Sequence, residues 1–240
     1  MVGIISDIGN SREVNEDFAD YYIDKNICIY VIADGMGGHN AGEVASKIAA
    51  QSTINYIKNI PNIDDAEKSL KEAIYESNRN IFKKSKEDIH LSGMGTTITA
   101  CLVKSSKMVV ANVGDSSCYT IKNNALIKIT KDHSLVQQLI DEGSITEEQA
   151  LKHPNKNIIT RALGTNNTVI VDTFMLDLTD IKKVMLCTDG LSNNVSVKEM
   201  YDIIKDNDNQ NSCKKLIELS KAKGSRDNIS VIIFEGVCEN

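Results

Sequence analysis

TTITACLVKSSKMVVANVGDSSCYTIKNNALIKIT, running from Thr96 to Thr130, contains four runs rich in β-branched residues, at about 96–104, 107–113, 117–122 and 125–130. Only two or three residues separate one run from the next. Strands joined by turns this short pair antiparallel, because a parallel pair needs a crossover of a dozen or more residues. Further strand-like runs stand near 3–9, 18–23, 27–33, 169–176, 183–188 and 229–234. Apolar residues recur at helical spacing in two adjacent segments, Val44, Ala45, Ile48, Ala49 and Ile57, then Leu70, Ala73, Ile74, Ile81 and Phe82. Pro61-Asn62 marks the turn between them, with Asp64 and Asp65 as cap candidates. Two more helices fit about 196–205 and 211–223, the second closed by Gly224. Consecutive strands with helices in consecutive pairs predict an α+β sandwich, antiparallel sheets covered by helices. The polar stretch from about 134 to 165 carries two short helical patterns and ends in Gly164, so it reads as an inserted flap.

The 240 residues, 41% of them apolar, suit one domain spanning 1–240. A formal charge of −6 and the lack of any basic stripe argue against nucleic acid. No apolar run approaches the roughly 18 residues of a membrane helix, and the start from Met1 to Asp7 has no signal-peptide pattern. A cytoplasmic protein without membrane contact is expected. The six cysteines are widely spaced and read as reduced, buried thiols. None has Arg six positions later, so the Cys-x5-Arg loop of thiol phosphatases is missing.

Chemistry is suggested by where aspartates stand. The run ending at Ala33 is followed by Asp34-Gly35, that ending at Val113 by Gly114-Asp115, and that ending at Cys187 by Thr188-Asp189-Gly190. The run from Ile229 begins directly after Asp227-Asn228, so an antiparallel partner would bring Asp227 to the same end. Glu16 and Asp17, near the first strand, make a fifth acidic locus. One Asp-Gly pair is ordinarily a turn. Five converging acidic loci are costly unless cations neutralise them, and oxygen-only ligands suit Mg²⁺ or Mn²⁺. Arg12 offers a guanidinium five residues before Asp17, and His39 follows the glycine-rich Gly35-Met36-Gly37-Gly38. His90, His133 and His153 stand in polar sequence and read as structural.

Eight motifs in order then resemble the type-2C family of metal-dependent serine/threonine protein phosphatases, in its compact bacterial form. They are Ser6-Asp7-Ile8-Gly9 through Arg12 to Asn15-Glu16-Asp17, Ala33 to His39, Gly93-Met94-Gly95-Thr96-Thr97, Asn112-Val113-Gly114-Asp115-Ser116, Asp132-His133-Ser134, Thr160-Arg161-Ala162-Leu163-Gly164, Thr188-Asp189-Gly190-Leu191 and Arg226-Asp227-Asn228. The resemblance implies a four-layer αββα sandwich with a dinuclear Mn²⁺ or Mg²⁺ centre. It implies that Asp34 bridges both ions, Asp189 and Asp227 bind one, and the Gly35 carbonyl binds the other with water-mediated help from Glu16 or Asp17. A third ion would correspond to Asp115 and Asp189. Arg12 would grip the substrate phosphate, a metal-activated water would attack phosphorus, and His39 would protonate the departing oxygen. Ser117 departs from the pattern, since many relatives carry Arg there.

Phosphorylated proteins, with a cognate bacterial Ser/Thr kinase and its targets, are the partners implied for a monomeric enzyme. Two other readings share these residues: a regulatory binding module with weak catalysis, and a hydrolase of small phosphate esters. An aspartyl-phosphate phosphatase would need a strand-end Asp-x-Asp motif, and the close pair Asp206 and Asp208 lies in polar loop sequence. Gly35 to Gly42 matches neither G-x-G-x-x-G nor a Walker loop.

Overall fold

The computed structural model describes residues 1–37 and 41–236. Its strands are β1 (Gly3–Asp7), β2 (Asp17–Ile23), β3 (Cys28–Met36), β4 (Gly95–Thr96), β5 (Ile98–Lys104), β6 (Lys107–Val113), β7 (Ser117–Lys122), β8 (Ala125–Lys128), β9 (Asp172–Asp177), β10 (Lys183–Cys187) and β11 (Ile229–Glu235). The helices are α1 (Ala41–Lys58), α2 (Ala66–Glu87), α3 (Leu135–Asp141), α4 (Glu147–Leu151), α5 (Asp189–Ser192), α6 (Val197–Lys205) and α7 (Asn209–Ala222), with a 3₁₀ turn at Ile89–Leu91. One sheet has the order β1-β11-β10-β7-β8 and the other β2-β3-β5-β6-β9, with β4 paired to β3. Every strand pairing among the described residues is antiparallel.

Alternation along β3 shows why four layers form. Ile29, Val31 and Ala33 join a core with Ala45, Ala49, Leu70 and Ile74 from α1 and α2. Cys28, Tyr30 and Ile32, on the opposite face, join Val184, Leu186, Ile232 and Phe234 of the other sheet. The Tyr30 and Phe234 rings stack with centroids 3.6 Å apart. A third core lies under α6 and α7, around Met200, Ile204, Leu216 and Val231. Helix pair, sheet, sheet and helix pair therefore enclose three separate apolar layers, as an αββα sandwich requires. Helix ends follow their sequence signals: Asp65 caps α2, Ser196 closes a capping box on α6, and Gly224 turns the chain after α7 at φ 88°.

Several details differ from the sequence reading. The strand expected at 27–33 continues to Met36, so Asp34 and Gly35 lie inside it, opposite Asp17 and Thr96 respectively. The run expected at 96–104 is interrupted at Thr97, whose N–H donates to the Asp34 carbonyl at 2.9 Å. Asp189-Gly190 opens the short helix α5 instead of a turn, because the Leu191 and Asn193 amides find carbonyl partners in Thr188 and Asp189. The strands expected at 3–9 and 169–176 are Gly3–Asp7 and Asp172–Asp177. Cys101, Cys118, Cys187 and Cys213 are free and buried as expected. Cys28 is instead disulfide-bonded, and Cys238 lies outside the described residues.

Candidate metal centre

β2 and β3 place Asp17 and Asp34 directly opposite each other in register. Like charges facing across a strand pair are destabilising, more so away from water. Asp17 is 5% exposed. Its Oδ2 accepts from the Thr188 hydroxyl at 2.8 Å, and that hydroxyl in turn accepts the Ser230 N–H at 2.9 Å. Asp17 thus links the two sheets beneath the cleft. Asp34 is fixed through its backbone: its N–H donates to Thr97 Oγ1 at 2.9 Å, and its carbonyl accepts from Thr96 Oγ1 at 2.8 Å. Thr97 is braced by the Ser116 hydroxyl at 2.8 Å. The Gly-Thr-Thr and Gly-Asp-Ser segments, which the sequence shows only as motifs, act here as the frame of Asp34.

Gly35 has to be glycine. A Cβ there would lie 2.1 Å from the Gly42 carbonyl oxygen and 2.5 Å from that of Glu16. The Gly35 N–H donates to the same Glu16 carbonyl at 3.0 Å. The approach to Gly42 brings the start of α1 against β3. Gly190 is restricted in the same way, its Cβ position lying 2.0 Å from the Asn228 oxygen. Asp115 follows β6 in a turn whose Gly114 takes φ 108° and donates its N–H to His133 Nδ1 at 3.0 Å. His133 is buried, burial lowers its pKa, and its Nε2 lies 3.1 Å from Asp172 Oδ2. It holds the turn, the structural part that the sequence assigns to it.

A cleft of about 310 Å³ is lined by Arg12, Glu16, Asp34, Gly35, Asp115, Asp189 and Asp227, joined by Asn157 and Ile159 from the flap. Seven of the nine residues singled out from sequence therefore meet in one place. Asp17 sits behind Asp34 rather than in the cleft lining, and His39 lies outside the described residues. Arg12 Nη2 bonds both oxygens of Asp227, at 2.9 and 3.0 Å.

Asn228 is a site residue to which the sequence reading gives no role. Its Nδ2 donates to the carbonyls of Ile8 at 2.9 Å and Val14 at 3.1 Å, and its Oδ1 accepts the Glu16 N–H at 2.9 Å. One buried amide thereby closes the loop that delivers Arg12 and Glu16. Its only sequence signal is its place beside Asp227 at the start of a strand.

The electrostatics are those of crowded, dehydrated acids. Burial pushes Asp34 well above the usual carboxylate range, helped by the charges of Asp17, Asp189, Asp115 and Asp227. Burial likewise pushes Asp17 up to about 7, Asp115 up to about 8 and Asp189 up to about 6, with the Asp189 charge adding at Asp115 and the Asp227 charge at Asp189. Among the described residues no three acidic, histidine or cysteine groups close on a single point. Bonding capacity is left unmet here: Oδ1 of Asp115 and of Asp189, in the cleft lining, and of Asp17, behind it, are buried without a hydrogen-bond donor. Oxygen ligands without imidazole or thiolate fit hard divalent ions such as Mn²⁺ and Mg²⁺.

Known proteins resemble this chain in sequence and fold. The family description "Protein phosphatase 2C" matches residues 9–221. The serine/threonine phosphatase stp of Listeria welshimeri is 40% identical over 236 residues, covering 96% of this chain and 93% of the relative. The crystal structure of serine/threonine phosphatase Stp1 from Staphylococcus aureus superposes with a TM-score of 0.93 at 34% identity, covering 100% of this chain and 95% of that one. The catalytic domain of PstP, solved in complex with two manganese ions, gives a TM-score of 0.86 at 33% identity over 97% of this chain and 96% of its own. With the motifs in order and the sandwich reproduced, this chain belongs to the protein phosphatase 2C family.

Proposed function

We propose that the cleft holds two divalent ions, Mn²⁺ or Mg²⁺, between Asp34, the Gly35 carbonyl, Asp189 and Asp227, with Asp115 and Asp189 available to a third. The chain is a serine/threonine protein phosphatase, metal-dependent like its family, and its substrates are phosphoproteins. The observation that supports the metal assignment is a set of buried carboxylate oxygens without donors, on Asp115 and Asp189 in the cleft lining and on Asp17 behind Asp34. When bound, such ions offset the phosphate charge and acidify water so that a nucleophile is available near neutral pH.

The chain's own residues supply the rest. Arg12 commits Nη2 to Asp227, and its remaining donors suit two oxygens of a phosphate at the cleft mouth. Thr96, Thr97 and Ser116 keep the Asp34 backbone from moving as charge builds, which is what preorganisation requires. His39 is proposed on sequence alone as the acid that protonates the departing serine or threonine oxygen. We further infer one catalytic domain with residues 134–165 as its flap, acting as a monomer against the products of a Ser/Thr kinase in the cytoplasm. No helix among the described residues is long and apolar enough to cross a membrane.

Chelator-treated protein assayed on phosphoserine and phosphothreonine peptides tests the reading. Turnover should vanish with the metal and return with Mn²⁺. Full activity without divalent ions would refute it.

A further inference from the structure

Beside the catalytic cleft a second cavity, of about 250 Å³, opens between the flap and α5, and Asp115 and Asp189 line both. Four apolar side chains line it, Val136 and Ile140 from α3 and Ala150 and Leu151 from α4, among polar and charged neighbours such as Gln137, Ser192 and Asn193. Val136, Ile140 and Leu151 take part in none of the three cores, and α3 buries no residue at all. The N-termini of the two helices are capped locally, α3 by Ser134 and α4 by a Thr146–Gln149 capping box, and α4 buries Ala150 alone. Leu151 is 70% exposed and Ile158 46%, while Ile159 lines the cleft itself. Exposed apolar side chains therefore stand both in the groove and at the cleft, and apolar surface left uncovered beside a binding cleft is where an occupant is expected.

We propose that this groove is a side-chain subsite for the substrate polypeptide, taking an apolar residue next to the phosphorylated serine or threonine. The inference rests on the phosphatase reading above and specifies its substrate class. The common wall of Asp115 and Asp189 names the occupant: in a chain whose phosphate lies among Asp34, Asp189 and Arg12, the flanking residue is only about 3.3–3.6 Å along the backbone from the phosphorylated one, within reach of the adjoining groove. Of the charged groups in the lining, Asp132 is paired with Lys128 at 2.7 Å, Asp115 and Asp189 form the wall shared with the cleft, and Glu147 and Lys156 are of opposite sign. An apolar side chain in the groove would cover Leu151 and Ile140, and exclude water from the side of the cleft that Asp189 occupies.

The test compares phosphoserine peptides with leucine, serine or aspartate immediately before or after the phosphorylated residue, using Mn²⁺-loaded full-length enzyme. Nitrophenyl phosphate, which has no flanking residue, reports the cleft alone. Leucine on one side should raise kcat/KM by on the order of 10-fold through KM, the scale of discrimination an apolar pocket supplies. Leu151→Asp and Val136→Asp should each erase that preference, and Leu151 is exposed enough that its replacement leaves the fold intact. Equal turnover of all peptides, a preference that survives both substitutions, or a preference for aspartate guided by Lys156 would each overturn the subsite. If neither nitrophenyl phosphate nor any peptide is hydrolysed, the phosphatase reading falls and the subsite with it. Hydrolysis of all of them without preference sinks the subsite alone.

Discussion

The hairpin of β2 and β3 has aspartates at both ends, and they have opposite fates. At the turn, Asp24 Oδ1 accepts the N–H groups of Asn26 at 2.7 Å and Ile27 at 3.0 Å, while Oδ2 accepts the Tyr22 hydroxyl at 3.1 Å. Those donors, the Asn26 amide first, hold its carboxyl below the usual range. At the other end buried Asp17 and cleft-lining Asp34 face each other across the strand pair, both pushed above that range, and Asp17 Oδ1 has no donor. Residue type and hairpin are shared, so neither decides the role. A carboxylate surrounded by amides completes a turn, whereas one buried among other carboxylates without donors carries an unfavourable charge that a proton or a cation relieves.

The largest break in this contrast should come from Asp34→Asn. The shape is kept and one ligand charge is removed, so turnover should fall at least a hundredfold, about 3 kcal/mol of transition-state stabilisation. The same substitution should raise the Tm of metal-free protein, because it removes charge repulsion from a buried cluster. Loss of activity together with loss of metal-free stability would mean that Asp34 is mainly a structural residue. Calorimetric Mn²⁺ titration and thermal melts in chelator separate these outcomes.

Next in size is the loop opposite Asp34. Arg12→Ala should raise KM for phosphopeptides while leaving Mn²⁺ affinity in place, since Arg12 touches Asp227 from the solvent side. Asn228→Ala should reproduce that kinetic defect from a distance and also cost about 2–4 kcal/mol of stability, because it leaves the Ile8 and Val14 carbonyls and the Glu16 amide without their buried partner. If Asn228→Ala loses stability but keeps a native KM, the loop holds Arg12 without its staple.

A pH titration of stability sharpens the comparison without mutation. Folded Asp189, Asp17 and Asp115 sit at about 6, 7 and 8, against roughly 3.9 in the unfolded chain. Between about pH 4 and 8 the native state binds more protons than the unfolded one, so stability falls as pH rises. Metal-free protein should therefore melt at a higher temperature at pH 5 than at pH 8. Saturating Mn²⁺ should abolish or reverse the trend, since ions replace the protons. A metal-free Tm that climbs from pH 5 to pH 8 would show that the cluster is not strained by its own charge.

How much of this could be read beforehand follows from the range of the forces. Runs such as Met108 to Val113 and the Leu70, Ala73, Ile74, Ile81 stripe announce their elements because burial imposes a local period, and both formed where expected. The order of acidic motifs likewise located the cleft. Lost to the sequence were features fixed by distant partners. Asp34-Gly35 looks like a turn until Asp17 and Thr96 pair with it. Thr97, Thr188 and Asn228 look like ordinary polar residues until their partners, from 42 to 220 positions away, are in place. The apolar residues of α3 and α4 show no periodic burial, because they pack against none of the cores.

The smallest effect belongs to the other end of the hairpin, and it is the control that gives the comparison meaning. Asp24→Ala removes a carboxylate that satisfies two turn amides, an arrangement akin to a helix cap. Such caps contribute about 0.5–2 kcal/mol, and at this exposed position water can take over both amides, so the lower part of that range applies, roughly 0.5–1 kcal/mol. For a chain of this length that is a Tm decrease of about 1–4 °C. Activity on phosphopeptides and the Mn²⁺ titration should not change, because the turn lies at the opposite end of β2 and β3 from the cleft. The metal-free Tm should move downward here and upward in Asp34→Asn, two aspartate substitutions in one hairpin with opposite signs. If both lower the Tm, the carboxylates of the cleft are as well satisfied as that of the turn, and their claim to a metal would rest on resemblance alone.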